Sequence, residues 1–250
     1  MADRPMHTVP GLFDHLTKLY GDVERAMQEG RFPDAVAACS EGIRLDDHFR
    51  QRYVTFYAQR AFALQRMGDH ASAIDDYGKA IEMEPPVNQA QYYFHRGMCF
   101  SAQGQAEQAV ADYTSSIALY QGQPGPFHLR GKLLTSDLGR HEEAIRDFDH
   151  FLTMQMHPEV LQLRGFAKLS LGRGKDAIPD LFESKRLAPD TYTDYLLAWA
   201  GAIAPDDELF YGAMNAVLQA DPSYRQYFVD NDDYRRFYAE PRFRQIVGPG

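Results

Sequence analysis

One recurring segment constrains this chain more than any other feature. Gly30-Arg31-Phe32-Pro33-Asp34-Ala35, Gly68-Asp69-His70-Ala71-Ser72-Ala73, Gly104-Gln105-Ala106-Glu107-Gln108-Ala109, Gly139-Arg140-His141-Glu142-Glu143-Ala144 and Gly172-Arg173-Gly174-Lys175-Asp176-Ala177 share one form: Gly, four residues, Ala. Their glycines stand 38, 36, 35 and 33 residues apart. A motif kept at that period marks a chain of stacked units, not one built around a single centre. Each Gly lies between two stretches of helical apolar spacing, so it is expected to end the first helix in a left-handed conformation that costs other residues more. The Ala is then small where two helices cross. Four residues beyond it comes a core side chain, Cys39, Tyr77, Tyr113, Phe148 or Leu181; positions i and i+4 share one face and pack on the first helix. Pro85 and Pro189 stop the second helix of two units. Each unit is a helix-turn-helix of about 34 residues.

A second recurrence lies in the first helices: Arg60-Ala61, Arg96-Gly97, Arg130-Gly131 and Arg164-Gly165. The small residue lets the paired helices approach. Sixteen or seventeen residues after each Arg comes an Asp, which predicts the bridges Arg60 with Asp76, Arg96 with Asp112, Arg130 with Asp147 and Arg164 with Asp180. A periodic ion pair is architectural, not catalytic.

These residues resemble the tetratricopeptide-repeat family, in particular its variant with an Arg-Gly step in the first helix and Ala-Ile-x-Asp-Tyr in the second. Ala73-Ile74-Asp75-Asp76-Tyr77, Ala109-Val110-Ala111-Asp112-Tyr113 and Ala144-Ile145-Arg146-Asp147-Phe148 carry the second element. The resemblance implies an all-α, right-handed superhelical solenoid. Five repeats are expected at 16–50, 54–88, 90–123, 124–157 and 158–190, after an N-terminal segment, 1–15, and before a degenerate sixth unit, 191–222, and a C-terminal cap, 223–250. The first unit has Asp22-Val23 in place of Arg-Gly, the fourth holds one extra residue between Gly131 and Gly139, and the sixth lacks the Gly and Ala markers. Pro179 falls inside a second helix and is expected to distort its first turn or two. The aromatic tail, with Tyr224, Tyr227, Phe228, Tyr234, Phe237, Tyr238 and Phe243, reads as a lid over the last helix pair.

In the family, first helices line a concave groove that takes an extended segment or a helix of a partner protein. Carried over, the groove positions are those two before the Arg, one before it and two after it: Ala58, Gln59 and Phe62; Phe94, His95 and Met98; His128, Leu129 and Lys132; Gln162, Leu163 and Phe166. Aromatic and Met side chains exposed together are expected to form a binding surface. The subtype that grips a C-terminal carboxylate is argued against, because Thr55, Ala58, Gln59, Phe62, Gln91, Phe94 and His95 supply no cation. The implied function is a non-catalytic scaffold or adaptor. The alternatives are a self-assembling structural protein, in which one copy's groove takes the tail or N-terminal helix of another, and, further off, an enzyme using the region from Thr191 onward.

Charge and motifs narrow the partners. A formal charge of −9 opposes nucleic acid and anionic membranes. Cys39 and Cys99 are too few for a disulfide framework and suit a reducing compartment, and no stretch is long and apolar enough to span a bilayer, so a cytoplasmic location is expected. There is no phosphate loop, no zinc-type Cys pair and no His-Glu-x-x-His, so no cofactor is expected. His150 and His157 lack a third partner for a metal.

Overall fold

The structure is a computed structural model that describes residues 11–46 and 54–248, helices and turns without a strand among them. Most of the expected N-terminal segment therefore lies outside the described residues. Contacts divide the chain into two compact units, Met1–Pro126 and Phe127–Gly250.

The first unit contains α1 (Leu12–Gln28), α2 (Phe32–Asp46), α3 (Val54–Arg66), α4 (His70–Met83), a 3-10 turn at Pro86–Asn88, α5 (Ala90–Ala102) and α6 (Ala106–Leu119). They pair as hairpins, α1 on α2, α3 on α4 and α5 on α6, and α2 also packs on α3 and α4 on α5. The second unit opens within α7 (Pro124–Ser136) and continues through α8 (His141–Met154), α9 (Pro158–Ser170), α10 (Gly174–Leu187), α11 (Thr191–Ile203) and α12 (Asp207–Ala220). A 3-10 turn at Pro222–Tyr224, α13 (Arg225–Val229), a 3-10 segment at Asp232–Phe237 and α14 (Pro241–Val247) follow.

The turn chemistry accounts for the hairpins. Gly30, Gly68, Gly104 and Gly172 hold φ between 71° and 84°. In each case the next N–H reaches back to the carbonyl five residues earlier, as Asp69 does to Leu64 at 2.9 Å and Gln105 to Phe100 at 2.9 Å. This is the six-to-one bond that closes a helix on a left-handed residue. The extra residue of the fourth turn is absorbed here: Arg140 N–H reaches six back, to Leu134, and the Leu133 carbonyl takes both Asp137 and Leu138.

Where the helices cross, Ala35, Ala73, Ala109, Ala144 and Ala177 are wholly buried. A Cβ at Gly97 would stand 2.8 Å from the Tyr113 ring, at Gly131 2.6 Å from Phe148, and at Gly165 2.7 Å from Leu181. The aromatic or leucine of the second helix thus presses on bare backbone of the first. Ser116 Oγ donates to the Ala90 carbonyl at 2.8 Å and Ser184 Oγ to the Pro158 carbonyl at 2.9 Å, tying the two ends of a hairpin in each unit. Pro179 does not interrupt α10, which runs on across it, although its ring removes one interior backbone donor.

The region read as degenerate forms a helix pair of the same kind. Gly201 of α11 takes the small-residue role: a Cβ there would lie 2.6 Å from the Phe210 backbone nitrogen of α12. The tail then covers α12. Phe228, Tyr234, Phe237 and Phe243 are buried, and Phe237 stacks on Phe210 with centroids 3.8 Å apart. Tyr211 OH donates to Glu240 at 2.6 Å, and the Arg242 guanidinium lies over the Tyr211 ring at 4.3 Å.

Candidate functional site

The four Arg/Asp pairs set how the first helices present their faces. Arg60 reaches the two oxygens of Asp76 through Nε and Nη2 at 2.6 and 2.7 Å. Arg96 reaches Asp112 at 2.8 and 2.8 Å, Arg130 reaches Asp147 at 2.8 and 2.6 Å, and Arg164 reaches Asp180 at 2.9 and 2.5 Å. All four acids are buried. Two parallel charge-assisted bonds fix the guanidinium plane as well as its position. Burial pushes the Asp147 carboxyl above its ordinary value, against the pull of Arg130. Further partners escaped the sequence reading because they occur in one unit only: Ser40 Oγ accepts from Arg60, Asp149 accepts from Arg164, and Lys168 Nζ donates to Asp180 at 2.7 Å.

In the first unit the carried-over positions lie on α3 and α5. Ala58, Gln59, Phe62, Phe94, His95 and Met98 are all half-buried. The reason is mutual packing. His95 lies parallel to Tyr77 at 5.9 Å, takes the Phe62 ring edge-on at 5.6 Å and meets Phe94 at 5.4 Å. Phe94 also leans on Tyr113 and Gly125. Gln65 was not among the carried-over positions; it accepts from Tyr77 OH at 2.9 Å and turns its amide to Met98 Sδ at 3.9 Å. Burial lowers the His95 pKa, and its Nδ1 is buried without a partner among the described residues.

In the second unit the positions lie on α7 and α9. Lys132 is exposed and the other five are half-buried. Lys132 Nζ donates to Glu159 at 3.1 Å, and His128 stands 3.9 Å from the same carboxylate. Burial lowers the His128 pKa while Glu159 works to raise it. Gln162, Leu163 and Phe166 share a depression of about 550 Å³ with Thr135, His141 and Tyr192. His128, Leu129 and Lys132 do not line it. Trp199 packs edge-on to Phe166 at 6.0 Å and His141 does so at 6.3 Å. The Trp199 Nε1 and His141 Nδ1 atoms are buried without partners among the described residues. His141 was missed because it lies on a second helix, α8, and Tyr192 and Trp199 because α11 carries no Arg-Gly step from which to count.

Among the described residues no group of three or more His, Cys, Asp or Glu side chains is placed to hold a metal. His150 packs on Phe127 at 4.1 Å, while His157 faces His128 and Phe151. Among the same residues no helix is long and apolar enough to cross a membrane.

Glycine-closed hairpins with a small residue at each crossing define a class of all-α helical-repeat solenoids. The family model for the tetratricopeptide repeat matches residues 54–86 and 90–122, the hairpins α3/α4 and α5/α6. The chain is 31% identical over 94 residues, 38% of this chain and 26% of the relative, to a small glutamine-rich tetratricopeptide repeat-containing protein of Mycosarcoma maydis. The matched part spans about a quarter of the length of the curated relatives. Among solved structures, a tetratricopeptide repeat protein from Parabacteroides merdae superposes with a TM-score of 0.65 at 12% identity, over 94% of this chain and 98% of that one. MamA from Desulfovibrio magneticus gives a TM-score of 0.62 at 17% identity over 70% and 95%. At these identities the likeness is one of fold.

Proposed function

We propose that this protein is a non-catalytic scaffold or adaptor that holds a peptide or helical segment of another protein against the inner faces of its first helices. The observation that carries the reading is the half-buried row of large side chains, Phe62, Phe94, His95 and Met98 in one unit and Leu163 and Phe166 beside a 550 Å³ depression in the other. A monomer gains by burying such groups fully, and groups left half-covered in a depression are what an apolar partner side chain displaces water from.

The match of residues 54–86 and 90–122 to the tetratricopeptide-repeat model supports this reading, since repeats of that family commonly serve protein contacts. A cytoplasmic location belongs with it: both thiols are buried and free, and burial pushes each up to about 12, which makes them packing groups in a reducing compartment. The test replaces Phe94 and Phe166 together by Glu and compares, after cross-linking in extract of the native cell, which proteins join to wild type and to the variant. Loss of the principal partners with an unchanged circular dichroism spectrum is expected. Undiminished capture by the folded variant would place binding elsewhere.

A further inference from the structure

Away from the first-helix rows, four tyrosines of the second unit meet at the junction of α11 with the tail. Tyr192 and Tyr195 come from α11, Tyr224 from the 3-10 turn and Tyr227 from α13. Tyr195 is the hub, with ring centres 6.2 Å from Tyr192, 5.7 Å from Tyr224 and 6.1 Å from Tyr227. Unlike the core rings beneath them, Tyr192 is 41% and Tyr227 61% exposed.

Two carboxylates border the cluster, and both are held by neutral donors. Asp190 accepts from the Thr193 N–H and from Gln162, and Asp221 accepts from the Ser223 N–H. Among the described residues no Lys or Arg pairs with either. Lys185 is taken by Asp194, and the Arg225 guanidinium lies beside Gly248. Burial, the neighbouring phenols and Asp190 raise the Tyr192 pKa; burial and then Asp221 raise that of Tyr224. Elsewhere in the unit aromatic faces are covered by the chain's own cations, Arg242 over Tyr211 at 4.3 Å and Arg236 over Phe237 at 4.2 Å.

We propose that Tyr192, Tyr195, Tyr224 and Tyr227, with Asp190 and Asp221, form a docking surface for an Arg or Lys side chain carried by a segment of a partner protein. The negative faces of the rings attract a cation, and more strongly as it leaves water. The uncompensated carboxylates add to that attraction, and the chain's net charge of −9 steers a basic segment inward. The same charge repels the phosphates that would come with a stacked base. Tyr192 also lines the depression beside Leu163 and Phe166, so one segment reaches the cluster with a basic side chain and the depression with an apolar one. The proposal rests on the chain's being a binder of protein segments, but on residues the first-helix reading does not use.

The test is a titration of the full chain with a capped five-residue peptide alternating alanine and arginine, and with its citrulline counterpart, followed by NMR of the aromatic rings. Saturable shifts at Tyr192 and Tyr227 are expected, with the citrulline peptide bound roughly tenfold more weakly. Added salt should weaken the arginine peptide. Binding should be lost in Tyr192→Ser/Tyr227→Ser and reduced in Asp190→Asn/Asp221→Asn, whose Asn side chains can still cap α11 and the 3-10 turn. Equal affinity for citrulline, or full binding by the folded tyrosine variant, overturns the proposal. Shifts confined to Phe94 and Phe166 also overturn it, and leave the first-helix reading standing.

Discussion

At the scale of single residues, the arginines and glycines of the first helices make separable predictions. Arg96 is mostly buried and gives both donors to Asp112, whose side chain is 7% exposed. Arg96→Ala leaves that carboxylate buried without its cation, a loss of about 3 kcal/mol. Chemical denaturation followed by circular dichroism measures it, and an unchanged midpoint would show that the pair contributes nothing. The pairing was legible because sixteen residues carries the chain from the middle of one helix, through the turn, to the middle of the return helix. Lys168, which also serves Asp180, was not, since nothing in its spacing repeats. Glycines of neighbouring hairpins should respond in opposite ways. Gly97→Ala drives a methyl to 2.8 Å from the Tyr113 ring and is expected to cost about 1–3 kcal/mol. Gly78, inside α4, has only Arg96 Nη1 within reach, at 3.6 Å, so Gly78→Ala should stabilise by about 0.5–1 kcal/mol through helix propensity. If both changes destabilise equally, crossing geometry does not set the glycine requirement.

At the scale of the element, α5 shows where the sequence stops informing. The apolar period and the Arg-Gly step place α5 and its inward face, but they do not tell how far that face is covered. Half-coverage comes from Tyr77 of α4 and Tyr113 of α6, whose rings reach His95 and Phe94 from neighbouring helices. Side chains meeting across a hairpin have no signature in a linear pattern. The environment of His95 has a consequence for acid stability. Burial holds its folded pKa below the ordinary 6.5, so above 6.5 both folded and unfolded forms are neutral and its contribution is complete. As pH falls below 6.5, the unfolded chain takes a proton that the folded chain refuses, and stability drops until the folded pKa is reached. Burial of His128 acts with the same sign. The loss is bounded at about 1.4 kcal/mol per pH unit for each imidazole. Denaturation midpoints between pH 7.5 and 5.5 should fall in wild type and fall less steeply in His95→Gln. Parallel slopes would assign the acid sensitivity to other groups.

At the scale of the whole molecule, the tail answers a problem every stacked array has, an open face on its last helix. The apolar side of α12, with Phe210, Tyr211, Met214 and Val217, packs into the same core as Phe228, Tyr234, Phe237 and Phe243. The aromatic content of the tail suggested a lid from the sequence. The order of contacts was hidden, because short 3-10 turns and a five-residue helix carry no period to read. Each core side chain uncovered costs roughly 1.5–3 kcal/mol, so a chain ending after Ala220 loses more than a marginally stable array can spare. That truncation is expected to appear in the insoluble fraction or as large aggregates by light scattering. Phe237→Ala in the full chain, which removes the ring stacked on Phe210, should stay soluble and lose about 3–5 kcal/mol. The pair of variants tests the covering role by itself: a truncated chain that remains monomeric and folded would show that α12 needs no lid, whatever the tail's tyrosines bind.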